Sequence, residues 1–185
     1  RQRQMCIRDS YNIPGIDGLA YQKVTLPEGS PRGGLLTQAS LLKITANGTN
    51  TSPVPRGNFI LSQLLGTPPN PPPPGAGSVE PDTQGTTTIR EELDAHRNVA
   101  SCNRCHVNID PPGFALESFD PIGGYRTRYR STGEGDKPTE QLFGRPIREY
   151  RLGQPVDASG VTPDGTYFTG ITEYKQWLMQ QQDQI

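Results

Sequence analysis

The sequence predicts a mainly α chain interrupted by extensive irregular and polyproline structure. Three observations carry that expectation. The 185 residues include 21 Gly and 19 Pro, while apolar residues make up only 31%, fewer than in a typical globular domain. The apolar residues that are present recur at helical spacing behind capping residues. One stretch, Pro68-Pro69-Asn70-Pro71-Pro72-Pro73-Pro74, has to be extended polyproline II, without internal hydrogen bonds.

Residues 1–10 stand apart. Arg3-Gln4-Met5-Cys6-Ile7-Arg8-Asp9-Ser10 can be written codon by codon as a transposon end sequence ligated to library DNA, and Arg1-Gln2 repeats its opening dipeptide. This segment is expected to be translated adapter and is set aside from the physics. The true N-terminus, and any secretion signal with it, is then expected to be missing. Without that segment Cys6 and Met5 drop out. Cys102 and Cys105 remain as one close pair, Met179 is the methionine that matters, and His96 and His106 are the only histidines. One pair of cysteines is not a disulfide framework.

Residues 11–34 read as loops and short extended pieces, punctuated by Pro14-Gly15, Pro27 and Gly33-Gly34. Leu35 to Leu42 suits a short buried helix, or a strand running to Ile44. Asn47-Gly48 is a turn signal, and the sequon Asn47-Gly48-Thr49 is a chance match. Thr51-Ser52-Pro53 offers caps for a helix from about Pro55 to Leu65, with Phe59, Ile60, Leu64 and Leu65 on one side and Gly66 at its end. The proline run then serves as a stiff linker or as a strap across the module, and linker composition continues to about Gly85. Thr88-Ile89-Arg90-Glu91 is a capping box that starts a helix ending near His96 or Arg97, with Ile89 and Leu93 as its apolar stripe. Asp110-Pro111-Pro112-Gly113 reads as a turn with Asp110 as cap. Residues 131–154 are polar and Gly-rich, as a linker would be. Asp157 to Phe168 reads as a hairpin turning at Pro163-Asp164-Gly165. Thr172 is placed to cap a last helix carrying Tyr174, Trp177 and Leu178, inside which the chain is expected to be cut short.

The net charge of −1 gives no reason to expect nucleic acid or an anionic membrane as partner. No apolar run approaches the ~20 residues that span a bilayer, so no membrane span is expected in this fragment.

The chemistry is concentrated at Cys102-Asn103-Arg104-Cys105-His106. This is the C-x-x-C-H pattern of covalent haem attachment. On a helical turn, residues three and four apart share a face. Both thiols can therefore form thioethers with the two vinyl groups at one porphyrin edge, and the adjoining imidazole of His106 comes under the iron as proximal ligand. A thioredoxin-like C-x-x-C wants a strand before it, whereas here a capped helix leads in. A zinc site made of Cys102, Cys105, His106 and His96 would be a cramped set without a second knuckle. One covalent haem c is the expected cofactor, and its apolar surface would organise a chain that is poor in apolar residues.

For the second axial position there are two candidates. His96 would give a bis-His haem of lower potential, and Met179 would raise it. Against these, His96 is equally well read as a helix-end histidine favoured by the dipole or bonded to a propionate, and Met179 as ordinary helix packing. Arg97, Arg126, Arg128 and Arg130 could pair with propionates, Arg126 being singled out because it follows an aromatic turn. Phe114, Leu116 and Phe119 are candidates for the wall at the haem edge, or else a small core without haem contact.

The runs Arg32-Gly33-Gly34-Leu35-Leu36-Thr37-Gln38-Ala39-Ser40 and Thr51-Ser52-Pro53-Val54-Pro55-Arg56-Gly57 resemble the planctomycete-type cytochrome c modules, which are domains of unknown function in large exported bacterial proteins. So do Leu64-Leu65-Gly66-Thr67-Pro68-Pro69 with the proline run, and Leu93-x-x-His96-Arg97. The strongest likeness is Cys102-x-x-Cys105-His106-x-x-Ile109-Asp110-Pro111-x-Gly113-Phe114-Ala115-Leu116-Glu117-x-Phe119-Asp120. The resemblance covers about 32–130. It implies a small cytochrome c-like haem module over 32–130, preceded by the tail of another domain at 11–31. It further implies a linker at 131–154 and a partial hairpin–helix piece of the next domain at 155–185. It also implies a periplasmic, cell-surface or secreted location, and multidomain architectures with carbohydrate-binding or further cytochrome domains. Where the family sometimes has Met, this chain has Ile109, so no iron ligand is expected there.

The expected function is therefore electron transfer by a haem c module, with a redox partner protein or neighbouring cytochrome domains as partners. No recognisable catalytic constellation points to an enzyme in this fragment. The competing expectation is the redox domain of a larger enzyme acting on polysaccharides or other extracellular substrates, with an open haem site and polysaccharide association through missing domains.

Overall fold

The computed structural model describes residues 11, 20, 23–48, 50–74, 82–139, 141–142, 145–146 and 150–183. The expectations for the adapter at 1–10, for Thr49 of the sequon and for the linker stretch 75–81 lie outside the described residues.

A 3-10 turn, Leu35–Thr37, leads into helix α1, Ala39–Ile44. The Thr37 hydroxyl ties that turn to Gly33, donating to its carbonyl at 3.0 Å and accepting from its N–H at 2.8 Å. Helix α2 starts at Pro53–Phe59, two residues before the expected start, because proline suits the first helical position, where an N–H would be unpaired anyway. It continues over Ile60–Leu64 as a π-helical turn. There the Leu65 N–H reaches the Ile60 carbonyl at 3.1 Å, and Gly66 reverses the chain at φ 63°.

Helix α3, Ile89–Arg97, begins with the capping box seen in the sequence: Thr88 accepts from the Glu91 N–H, and the Glu91 carboxylate accepts from the Thr88 N–H at 2.7 Å. Leu93 is its buried residue. After a tight turn at Asn98 and Val99, helix α4 runs over Ala100–Phe114.

The turn expected at Asp110-Pro111-Pro112-Gly113 does not form, and α4 passes through both prolines. Each proline removes a helical hydrogen bond, so tertiary contacts hold this stretch helical. Asp110 is buried, with its side chain turned to His106. Gly113 lies against the Pro53 carbonyl so closely that a Cβ would overlap it, and Gly57 of α2 meets the Ile109 carbonyl of α4 in the same way. Two glycines thus let α2 and α4 touch backbone to backbone.

Beneath this contact lies a buried polar hub. The Arg56 side chain of α2 is fully buried and donates to the carbonyls of Leu116 (2.7 Å) and Phe119 (2.9 Å), just past the end of α4. Burial lowers the Arg56 guanidinium to about 10, against the pull of Glu117. Glu117, also fully buried, accepts from Thr51 and, at 2.9 Å, from Arg126.

The remaining chain adds small antiparallel pairs. Strand β1 is Arg128–Ser131, β2 Gln141–Leu142, β3 Arg145–Pro146 and β4 Arg151–Pro155. Strand β1 pairs with β4, with a register irregularity between Arg128 and Arg130, and β2 pairs with β3. The expected linker, 131–154, therefore carries strand structure that returns to the end of the 32–130 stretch. Main-chain bonds between Asp136 and Leu152 (3.0 and 2.8 Å) and an Arg128–Asp136 ion pair at 2.6 Å hold it there.

Strands β5, Gly160–Val161, and β6, Tyr167–Phe168, form the C-terminal hairpin, which turns through Gly165 at φ 87°. Helix α5 follows over Ile171–Gln180, with Gly170 rather than Thr172 at its N-cap. The Glu173 carboxylate closes its first turn by accepting from the Thr169 hydroxyl at 2.5 Å. Phe168, Ile171, Tyr174 and Trp177 bury into the same apolar cluster as Leu42, Ile60, Leu116 and Phe119. The C-terminal piece therefore shares one core with the stretch before it.

Candidate functional site

Helices α3 and α4, joined by the Asn98–Val99 turn, set the site. The Cys102 and Asn103 N–H groups both bond the Val99 carbonyl at 3.0 Å, so the cysteines stand on the opening turns of α4. Residues three and four apart on a helix share a face. Cys102, Cys105, His106 and Ile109 accordingly line one cleft of about 620 Å³, within the ~300–1,000 Å³ range of small-molecule and cofactor sites. Both cysteines are free thiols of intermediate exposure.

His106 is fixed from below. Its Nδ1 donates to Asp110 Oδ1 at 2.9 Å, one helical turn along α4. A donor at Nδ1 leaves Nε2 with the lone pair, the form that binds a metal. Burial pushes the Asp110 carboxyl up from the ordinary carboxylate range, opposed by its bond to His106 and by Arg97, whose guanidinium stands 3.8 Å from Oδ2. That Oδ2 is buried and makes no hydrogen bond among the described residues.

The opposing walls come from α2, through Val54, Pro55 and Asn58, and from the segment Pro69–Pro74. His96, at the end of α3, also lines the cleft, and its ring meets that of His106 edge to face, with centroids 5.0 Å apart and planes at 69°.

The structure thus brings Cys102, Cys105, His106 and His96 together. Phe114, Leu116 and Phe119 do not line the cleft. All three are buried beside it, Phe114 under the Arg90 guanidinium at 3.8 Å and Phe119 edge-on to Tyr125 at 5.5 Å. Arg126 is committed to Glu117 (2.9 Å) and Thr51 (2.8 Å). Met179 is exposed on α5. Among the described residues no three of His, Cys, Asp and Glu converge as a metal cluster, so the four-ligand zinc set is not assembled. Nor, among them, is any helix long and apolar enough to cross a membrane.

Sequence reasoning missed Asp110 as the partner of His106. The signal was present as His and Asp at i and i+4, but it required the helix to run past Pro111. It also missed the α2 wall, for which no local signal exists.

The donor set has a defined chemistry. Two thiols on one helical face, next to an imidazole with a free Nε2 and a carboxylate behind it, suit a porphyrin held by two thioethers and one axial nitrogen. No curated protein and no solved structure matches the chain. The family model described as PSCyt3, protein of unknown function (DUF1588), matches residues 32–129. The match takes in α1 to α4, the proline segment and every residue that lines the cleft. It spans more than half of the 185 residues, and the chain belongs to the PSCyt3 family.

Proposed function

We propose that this chain is a c-type haem-binding electron-transfer module of a larger exported bacterial protein. The observation that carries the reading is the clustering of Cys102, Cys105 and His106 on one face of α4, at a cleft of cofactor size, with His106 held by Asp110. The family name, with its cytochrome element, agrees. When bound, haem c supplies a one-electron couple at iron.

The chain's own residues do the rest. Cys102 and Cys105 provide the thioether sulfurs, and His106 provides Nε2. Asp110 fixes the imidazole ring and raises its basicity, which favours the ferric state and lowers the potential. Val54 and Pro55 of α2 and the proline segment line the cleft with mostly apolar surface. A redox partner protein or a neighbouring cytochrome domain would exchange the electron, in the periplasm or at the cell surface.

The test is expression in an export-competent host with a haem-attachment system. The denatured polypeptide should carry the mass of one haem, and a pyridine haemochrome spectrum should read two thioethers. Cys102→Ala with Cys105→Ala should lose both signals. Bare protein from the unaltered chain would overturn the reading.

A further inference from the structure

Asp110 presents one oxygen to the site and hides the other. Its Oδ1 takes the Nδ1–H of His106 at 2.9 Å. Its Oδ2 is buried and makes no hydrogen bond among the described residues, and the side chain has no exposed surface. A buried carboxylate needs a counter-charge. Besides His106, the described residue that supplies one is Arg97, whose guanidinium stands 3.8 Å from Oδ2.

Arg97 sits in the last turn of α3 and so comes to Asp110 from the neighbouring helix. Its fork is divided. Nη2 is held by Asp94, one turn back on α3, while Nη1 faces Asp110 on α4. At 3.8 Å the second contact is too long for a hydrogen bond, so it acts by charge alone. A cation beside Oδ2 draws electron density from the carboxylate and makes Oδ1 a weaker acceptor for the His106 N–H. The imidazole is then less electron-rich at Nε2. Arg97 does not line the cleft, whereas His106 does. It stands behind Asp110 and not among the groups that face the cavity, where a propionate partner was expected.

We propose that Arg97 is a positioning residue which, shared between Asp94 and Asp110, sets how strongly Asp110 accepts the His106 N–H and thereby tunes the potential of the iron that His106 would hold. This rests on the haem reading above. Arg97 works through Asp110 and not on the haem itself, and its charge is permanent, so it raises the potential against the lowering effect of Asp110.

The experiment uses the exported full chain after a haemochrome assay has shown covalent haem. Failure of that assay is a failure of the haem reading, whereas the potentials of haem-loaded protein bear on Arg97. Potentials are measured at neutral pH by spectroelectrochemical titration. Arg97→Gln is expected to lower the potential, and Arg97→Lys, which keeps the cation, to recover more than half of that fall. In the Asp110→Asn background the Arg97→Gln shift should shrink to less than half, because the group it acts through is gone. An equal fall in both backgrounds would overturn the proposal, since Arg97 would then act on the haem directly, by its field or through a propionate. No fall in Arg97→Gln, or no recovery in Arg97→Lys, would overturn it by leaving Arg97 a structural tie between α3 and α4. If Arg97→Gln does not fold, the exposed partner takes its place: Asp94→Asn frees the fork for Asp110 and should raise the potential, again chiefly while Asp110 is present. A potential unchanged, lowered, or raised equally in both backgrounds would sink the proposal.

Discussion

Replacing Gly57 by alanine should destabilise the protein although alanine is the better helix former. An added Cβ there lands on the carbonyl carbon and oxygen of Ile109. In an exposed helix Gly→Ala gains about 1 kcal/mol. Overpacking a well-filled core costs about 1–3 kcal/mol, and the upper part of that range applies because the obstacle is backbone of a packed helix and not a flexible side chain. A net loss of about 1–2 kcal/mol follows. With a urea m-value of about 1–3 kcal/mol/M, the midpoint should fall by roughly 1 M, followed by far-ultraviolet circular dichroism on the exported chain. Gly113→Ala meets the Pro53 backbone and should act alike. The double variant should lose less than the sum, since one separation of α2 from α4 relieves both clashes. Gly170→Ala is the control. Its backbone is extended, with φ 176°, and nothing lies within reach of a Cβ, so it should lose only the few tenths to about 1 kcal/mol by which alanine is the poorer N-cap. An unchanged or raised midpoint in Gly57→Ala would show that the two helices do not depend on this contact.

Three further outcomes follow from the buried and paired groups. Glu117→Ala leaves the fully buried Arg56 and the mostly buried Arg126 without their carboxylate and should cost about 3–5 kcal/mol; a thermal midpoint equal to that of the unaltered chain would deny the hub any role in stability. Asp110→Asn replaces the anionic acceptor behind His106 with a neutral one, so the imidazole becomes a weaker base and the reduction potential should rise, as read by protein-film voltammetry; a potential that stays put or falls would remove Asp110 from the tuning of the site. Asp164 is held well below the ordinary carboxylate range, first by the Thr162 hydroxyl and then by the Trp177 indole N–H. Its folded value lies under the unfolded value of about 3.9, so its contribution is complete above that pH and is lost as the pH falls through the lowered value. The indole N–H resonance of Trp177, the one tryptophan of the sequence, should therefore hold its position to well below pH 4, and a midpoint near 4 would refute the assignment.

What could be read from the sequence was local. The Thr88–Glu91 box, the Cys102–Cys105–His106 spacing and the turn at Gly165 each depend on residues within five positions of one another, and each is where the pattern placed it. Asp110 was misread because the rule that proline disfavours helix in the residue before it is also local. Here the contacts of α4 with Pro53 and Gly57, more than 50 positions upstream, override it. Phe114, Leu116 and Phe119 follow the motif closely, yet nearness in sequence did not decide where they would go; Leu116 and Phe119 join the apolar core and Phe114 is buried under Arg90. The pairing of β1 with β4 spans about twenty residues of polar, Gly-rich chain, where no apolar alternation announced a strand. The proline run fitted a linker or a strap equally well, and only its position against α2 and α4 distinguishes them.

Helix α4 does two jobs at once, and this explains why two prolines inside it are tolerated. Its N-terminal turns present Cys102, Cys105 and His106 to the cleft, while its C-terminal turn presses Asp110, Gly113 and Phe114 into the protein. The prolines at 111 and 112 remove two N–H donors from that turn, so its shape is imposed from outside. Gly57 and Pro53 of α2 supply the close packing, and Arg56 of the same helix collects the Leu116 and Phe119 carbonyls just beyond the helix end. Helix α2 also walls the cleft through Val54, Pro55 and Asn58. The element that forces α4 into shape is thus the element that faces the cysteines and the histidine. A change in α2 reaches the site by two routes, through the wall it forms and through the helix it holds, whereas the strap, which makes none of these packing contacts, can alter access to the cleft while leaving the donor set in place.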